Sequence, residues 1–285
     1  MFTTPFTLLA RLARVADGCL HGPALDTVTA TGTAINTTLA ALTIATGDSL
    51  QIKNQVGNVP AWLLQCWADL QAAGEIRIRS PKFHDNVDAI RSRVQIGLLD
   101  PLLPWGLPQP LYPQDVLTLE MAGSATAGDI ESLVLQVYYP DLPGQNARLQ
   151  TWDSIKNRVR NLVGQRIAIT LGTTAGYNGA RAINADTDLL KANTDYAVFG
   201  MTTNTECAAI CLRGPDTGNL RVSVPGEPGL VHHTNYWFKR LAMAYGLPLI
   251  PVINSANKGG TLIDAVNDEN GGTANVVIWL AELGN

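Results

Sequence analysis

GNLRVSVP, residues 218–225, has a near copy in the first half of the chain, GEIRIRSP at 74–81. The octets share Gly74/Gly218, Arg77/Arg221 and Pro81/Pro225, and Ile76 and Ile78 meet Leu220 and Val222. Apolar residues at every second position predict a half-buried strand, punctuated here by glycine and proline. The octets lie 144 residues apart in a chain of 285.

Working outward, other stretches recur in the same order. PLYP (110–113) returns as PLIP (248–251), and LVLQVYY (133–139) as VVIWLAE (276–282). FTLLARLARVADG (6–18) faces WDSIKNRVRNLVG (152–164), sharing Arg14/Arg160 and Gly18/Gly164. Between octet and PL-P element each half carries a helix-like stretch, DNVDAIRSRV (85–94) and HHTNYWFKRLAMAY (232–245). An order kept four times predicts internal duplication. PDLPGQN (140–146) reads as the linker, giving a first half over 1–146 and a second over 147–285.

Within each half the pattern is short Thr/Val/Ile-rich strands broken by glycine and Asx turns, among them LDTVTATGT, DSLQIKN, QRIAITLGT, TDYAVFGMTT and CAAICLRG. Helices are expected at 4–17, at 149–164 leading the second half, and at 60–73, where PAWLLQCWADLQAA opens on proline. The counterpart of 60–73 reads as strand, so the halves disagree there. Five prolines in 95–115 forbid regular helix and central strand, so the stretch reads as an extended loop around Trp105. The fold class is mainly β: two tandem antiparallel sandwiches with short helices.

Net charge is −4 and the pI about 5.5, so no basic field marks a nucleic-acid protein and no nucleic-acid motif is present. Only 15% of residues are charged, against roughly 25% in ordinary soluble domains. Such a surface is suited to being covered by copies of itself, the alternative being a neutral Thr/Asn/Gly-rich β exterior. Cys19, Cys66, Cys207 and Cys211 carry no metal spacing and read as small apolar residues in a reducing compartment. Arg11 and Arg14 interrupt the apolar N-terminal stretch, unlike a secretory signal, and no run is long enough to span a bilayer.

Catalytic apparatus is sparse, and neither a catalytic residue, a cofactor nor a metal is expected. There is no Gly-x-Ser-x-Gly elbow and no phosphate loop. NKGG (257–260) reads as a hairpin turn. His232 and His233, beside Glu227, are the one histidine pair; catalysis there requires carboxylates converging from elsewhere. Glu120/Glu131 and Asp264/Asp268 read as solvated strand edges rather than a glycosidase pair. Trp62, Trp67, Trp105, Trp152, Trp237 and Trp279 read as core and interface in preference to sugar-stacking platforms. Arg11 and Arg14 flank an apolar helical face that lies either on lipid or a packaged genome, or against its own sandwich.

Two sandwiches in tandem, carrying the repeated GEIRIRSP/GNLRVSVP, PLYP/PLIP and LVLQVYY/VVIWLAE, resemble the double jelly-roll major capsid proteins of icosahedral viruses. That lineage joins adenoviruses, tectiviruses and small membrane-containing bacterial and archaeal viruses. The resemblance implies a non-enzymatic chain that is made in the host cytoplasm and ends in the virion. Its partners are then itself, as trimers of pseudo-hexagonal outline tiling a shell, other virion proteins, and in some members an internal lipid membrane. The loops here are short for that family. The reading from another class is a tandem carbohydrate-binding sandwich of a spike or secreted protein, which requires tryptophans exposed at loop ends. A jelly-roll enzyme requires His232/His233 in a cleft.

Overall fold

The structure is a computed structural model and describes residues 21–33, 38–44, 48–83, 87, 89–95, 99–174, 176–267 and 271–284. The first half contributes β1 (His21–Thr33), β2 (Ala40–Ala41), β3 (Thr43–Ile44), β4 (Ala61–Asp69), β5 (Gly74–Arg79), β6 (Ile90–Val94), β7 (Gln109–Leu111), β8 (Thr118–Ala122) and β9 (Ile130–Pro143). The second contributes β10 (Leu149–Gln150), β11 (Val159–Leu171), β12 (Tyr177–Ala182), β13 (Asp195–Thr203), β14 (Cys207–Arg213), β15 (Val222–Gly226), β16 (Ile250–Asn254), β17 (Leu262–Val266) and β18 (Gly272–Leu283). Its helices are α1 (Trp152–Ile155), α2 (Val231–Thr234) and α3 (Trp237–Tyr245).

Four antiparallel sheets result. In the first half the large sheet runs β3-β1-β9-β4-β7 and the small sheet β2-β8-β5-β6; in the second they run β10-β16-β13-β18-β11 and β12-β17-β14-β15. With the edge strands β3 and β10 set aside, each half orders its strands first, eighth, third, sixth in one sheet and second, seventh, fourth, fifth in the other. That is the jelly-roll winding, present twice.

The repeat therefore holds strand for strand, but not in the octet's register. GEIRIR is β5, the fourth strand of its roll, whereas residues 218–225 form a turn and most of β15, the fifth. The true counterpart of β5 is β14. PLYP/PLIP and LVLQVYY/VVIWLAE do mark equivalent strands, β7 with β16 and β9 with β18.

Three predicted helices give way. Of 149–164 only α1 is helical; β11 begins at Val159 and pairs with β18 along its length. Residues 90–94 of the 85–94 stretch are β6, paired with β5. Residues 61–69 are β4, so the halves agree where the sequence set them apart. The helix expected at 4–17 lies outside the described residues. NKGG connects strands of different sheets rather than closing a hairpin.

Each sandwich buries its own core. Leu63, Cys66, Ile76, Ile78, Met121 and Leu135 fill the first; Ile169, Ile210, Leu212, Val224, Ile263 and Ile278 fill the second. The second core also takes in Leu25, Leu64, Trp67, Val134 and Tyr138 from the outer face of the first half's large sheet. The same strand β4 thus sends Leu63 and Cys66 one way and Leu64 and Trp67 the other. A bulge between Leu63 and Gln65 re-aims it.

Helix α2 rides against β13 at Gly200, where a Cβ would collide with the carbonyl oxygen of Thr234 and the backbone of Asn235. Gly200→Ala is expected to cost about 1–3 kcal/mol, because backbone rather than a pliable side chain must move. Urea unfolding of the variant measures it; an unchanged midpoint removes the close approach.

Candidate functional site: the seam between the sandwiches and the faces left open

The first half's large sheet lies on the second half's small sheet and on α3. Thr27 Oγ1 and Ser223 Oγ share a hydrogen bond of 2.7 Å, and Gln136 Nε2 donates to Ser223 O at 3.1 Å. Trp67 Nε1 donates to Ala208 O at 2.7 Å, Trp237 Nε1 to Gln136 Oε1 at 3.1 Å, and the Tyr245 hydroxyl to Leu64 O at 2.5 Å. Trp237 meets Trp67 edge-on at 5.4 Å and 81°, and Trp105 at 5.4 Å and 72°. Edge-to-face rings, with the indole N–H of both Trp67 and Trp237 satisfied, make a seam both apolar and specific in register.

Beside the tryptophans is a charged group drawn from both halves. Arg221 stacks on the Tyr177 ring at 3.6 Å. Its Nε and that of Arg213 both donate to Asp264 Oδ2, at 3.3 and 2.9 Å. The first half contributes Asp48, whose Oδ2 accepts from Thr29 N at 2.9 Å and from the Tyr177 hydroxyl at 2.7 Å; its Oδ1 is 3.7 Å from Arg221 Nη1. Burial outweighs these donors and pushes the Asp48 carboxyl up to about 6. Burial likewise raises Asp26, although Lys53 binds it.

The other small sheet repeats the pattern without a cover from the described residues. Arg77 Nε and Arg79 Nη2 share Glu120, at 2.6 and 2.9 Å. In both halves the second arginine stands two residues beyond the one opposite the acid: Arg77 pairs with Glu120 in register and Arg79 follows, Cys211 pairs with Asp264 and Arg213 follows. Arg91 closes on Glu75, and Arg93 is exposed. Arg79 Nε is shielded from water and has no hydrogen-bond partner. The second half's large sheet keeps its β11 flank in solvent, with Arg160, Leu162, Gly164, Arg166 and Thr170 exposed.

Arg11 and Arg14 lie outside the described residues, as do Cys19, His84 and Asp268. His232 is exposed in α2; His233 accepts from Arg240 at Nδ1, and Glu227 accepts from Gly229 N. The two histidines and Glu227 therefore do not converge. Glu120 serves the arginines while Glu131 accepts from Ser124 N. None of the six tryptophans is exposed, and Trp67 and Trp237 are fully buried. Cys66, Cys207 and Cys211 are buried and form no disulfide with one another, with burial pushing the Cys66 thiol up to about 12. Asp48 and Tyr177 were not legible as site residues, since nothing local marks them; only strand alignment shows that Asp48 follows Thr29 much as Asp186 follows Ala168.

No family model matches the sequence, and no curated protein matches it. Among solved structures the chain is similar to the PBSX exported protein XepA, at 9% identity over 89% of this chain and 85% of that one, with a TM-score of 0.27. It is also similar to the major capsid protein P2 of bacteriophage PM2, at 6% identity over 92% of this chain and 98% of that one, with a TM-score of 0.21. TM-scores this low carry no argument.

Proposed function

We propose that the chain is a viral coat protein whose two jelly rolls assemble, as trimers of pseudo-hexagonal outline, into a closed shell. One observation supports this above the rest: the large sheet of one roll covers the small sheet of the other. That contact is between unlike faces, so among the described residues one face of each kind stays uncovered, the first half's small sheet and the β11 flank of the second half's large sheet. Unlike faces that fit one another propagate, and close into rings when the rotation allows. The low charge content is consistent with faces that end buried. On this reading the chain has no catalytic role, resides in the virion, and neighbours other virion proteins or an internal lipid layer.

Light scattering on the purified chain is expected to give three times 30.5 kDa. Electron microscopy is expected to show six-lobed rings, sheets or shells. Each trimer contact should bury upwards of about 1,000 Å². A chain that stays monomeric at every accessible concentration overturns the proposal.

A further inference from the structure

We infer that the seam is a proton-controlled latch: a proton on Asp48 holds the two rolls together, and its loss near neutral pH lets them part more readily while each sandwich stays intact. The latch lies inside one copy, so it goes beyond the self-assembly reading and does not depend on it.

Asp48 belongs to the first half, and two side chains of the second half close on it. Its own side chain is 6% exposed. The Tyr177 hydroxyl donates to Oδ2 at 2.7 Å, and Arg221, stacked on the Tyr177 ring, brings Nη1 to 3.7 Å from Oδ1. From its own half Asp48 accepts only a backbone donor, Thr29 N at 2.9 Å. The charges around it are unevenly matched. Lys53 holds Asp26, and Arg213 holds Asp264 at 2.9 Å. Among the described residues that leaves Arg221 to serve both Asp264, at 3.3 Å, and Asp48, at a distance too long for a hydrogen bond. Cys211, close by on β14, is kept a neutral thiol by burial and offers no charge.

Parting is therefore linked to a proton. With the rolls closed, burial, reinforced by the charge of Asp26, pushes the Asp48 carboxyl up to about 6. When they part, Tyr177 and Arg221 leave with the second half, water reaches the carboxylate, and its affinity for the proton drops to the ordinary 3.8. The closed form binds the proton more tightly, so rising pH through that window favours the open one. The fold permits the motion. Each roll has a core of its own, and the described chain passes between them once, around Gly144 at φ +73°. Opening by whole supersecondary units, short of global unfolding, is an ordinary native-state event.

Exchange of the Trp67 and Trp237 indole N–H protons reads the parting, because each donates across the seam, to Ala208 O and to Gln136 Oε1. Followed by NMR from pH 5 to 7.5 and corrected for intrinsic exchange, their protection is expected to fall about tenfold, the ratio for a group titrating near 6 closed and 3.8 open. It should stay below that of the Ile278 amide, inside the second core. Asp48→Asn should flatten the profile, and Tyr177→Phe, which removes a donor to the carboxylate, should move the fall to higher pH. Asp153→Asn, at an exposed carboxyl paired with Lys156, should keep it. A flat profile in the parent, a fall that survives Asp48→Asn or is lost in Asp153→Asn, or a midpoint unmoved in Tyr177→Phe overturns the latch. So does indole protection equal to that of Ile278, since the rolls would then part only by unfolding. A chain that stays monomeric sinks the self-assembly reading and leaves the latch to be judged by exchange alone.

Discussion

Replacing Trp237 with alanine is expected to lower the unfolding free energy by about 3–5 kcal/mol, the range for deleting a large buried aromatic side chain. Trp237 is fully buried, touches Trp67 and Trp105 edge-on, and donates to Gln136 Oε1. Its loss leaves a cavity at the seam and removes one of the two hydrogen bonds that tie the Gln136 amide to Ser223 and Trp237 of the second half. Trp67→Ala should cost a similar amount, and the pair should be non-additive by about 0.5–1.5 kcal/mol, the strength of an aromatic contact beyond its area. Urea unfolding of both single variants and the double measures all three quantities. Additive losses would show that the two rings do not act as a unit, and a loss under about 1 kcal/mol for Trp237→Ala would put that ring outside the core.

The second large effect is a stability that rises on mild acidification. Burial disfavours the charge of Asp48 and pushes its carboxyl in the folded chain up to about 6, from an ordinary value of 3.8. The folded state therefore binds the proton more tightly than the unfolded state does. Between about pH 4 and 6 each unit of rising pH removes stability, approaching 1.4 kcal/mol per unit where the two states differ by a full proton. Summed over the window, the chain at pH 7.5 should be less stable by about 2–3 kcal/mol than at pH 4 on account of this group, and Asp26, also raised, acts with the same sign. Carboxyls held low by partners, such as Asp195 beside Arg148, lose stability only below the ordinary carboxylate range and so act in a different window. Asp48→Asn keeps an acceptor for Thr29 N and Tyr177 while removing the titration. Denaturation from pH 4 to 7.5 should then be flatter for the variant, and the variant more stable than the parent at neutral pH. An identical slope in both chains would assign the effect elsewhere.

How much of this the sequence disclosed depends on what each strand faces. Alternation survives where one side is wet, as in β5, where Ile76 and Ile78 are buried and Glu75, Arg77 and Arg79 are half-exposed. It vanishes in β4, which is buried on both sides, one against its own core and the other against the second roll. A doubly buried strand reads as an apolar run that periodicity cannot tell from a helix. The stretch 149–164 fails for the opposite reason. Its apolar residues recur at helical spacing, yet β11 is held by its pairing with β18, and long-range pairing overrides local propensity. The octet misled because glycine, alternating residues and proline describe any short strand. Its shared arginines nonetheless fell into similar surroundings, each on an acid of its small sheet. The seam itself was invisible, since Asp48 and Tyr177 come together across 129 positions of sequence.

The short exposed link around Gly144 joins rolls that already grip each other through indoles, amides and a shared ion cluster. A covalent tether of that kind mainly raises local concentration. Severing the backbone there should leave two polypeptides that remain partnered. Two genes split at this point would then yield a heterodimer with the same seam, the link serving stoichiometry rather than shape.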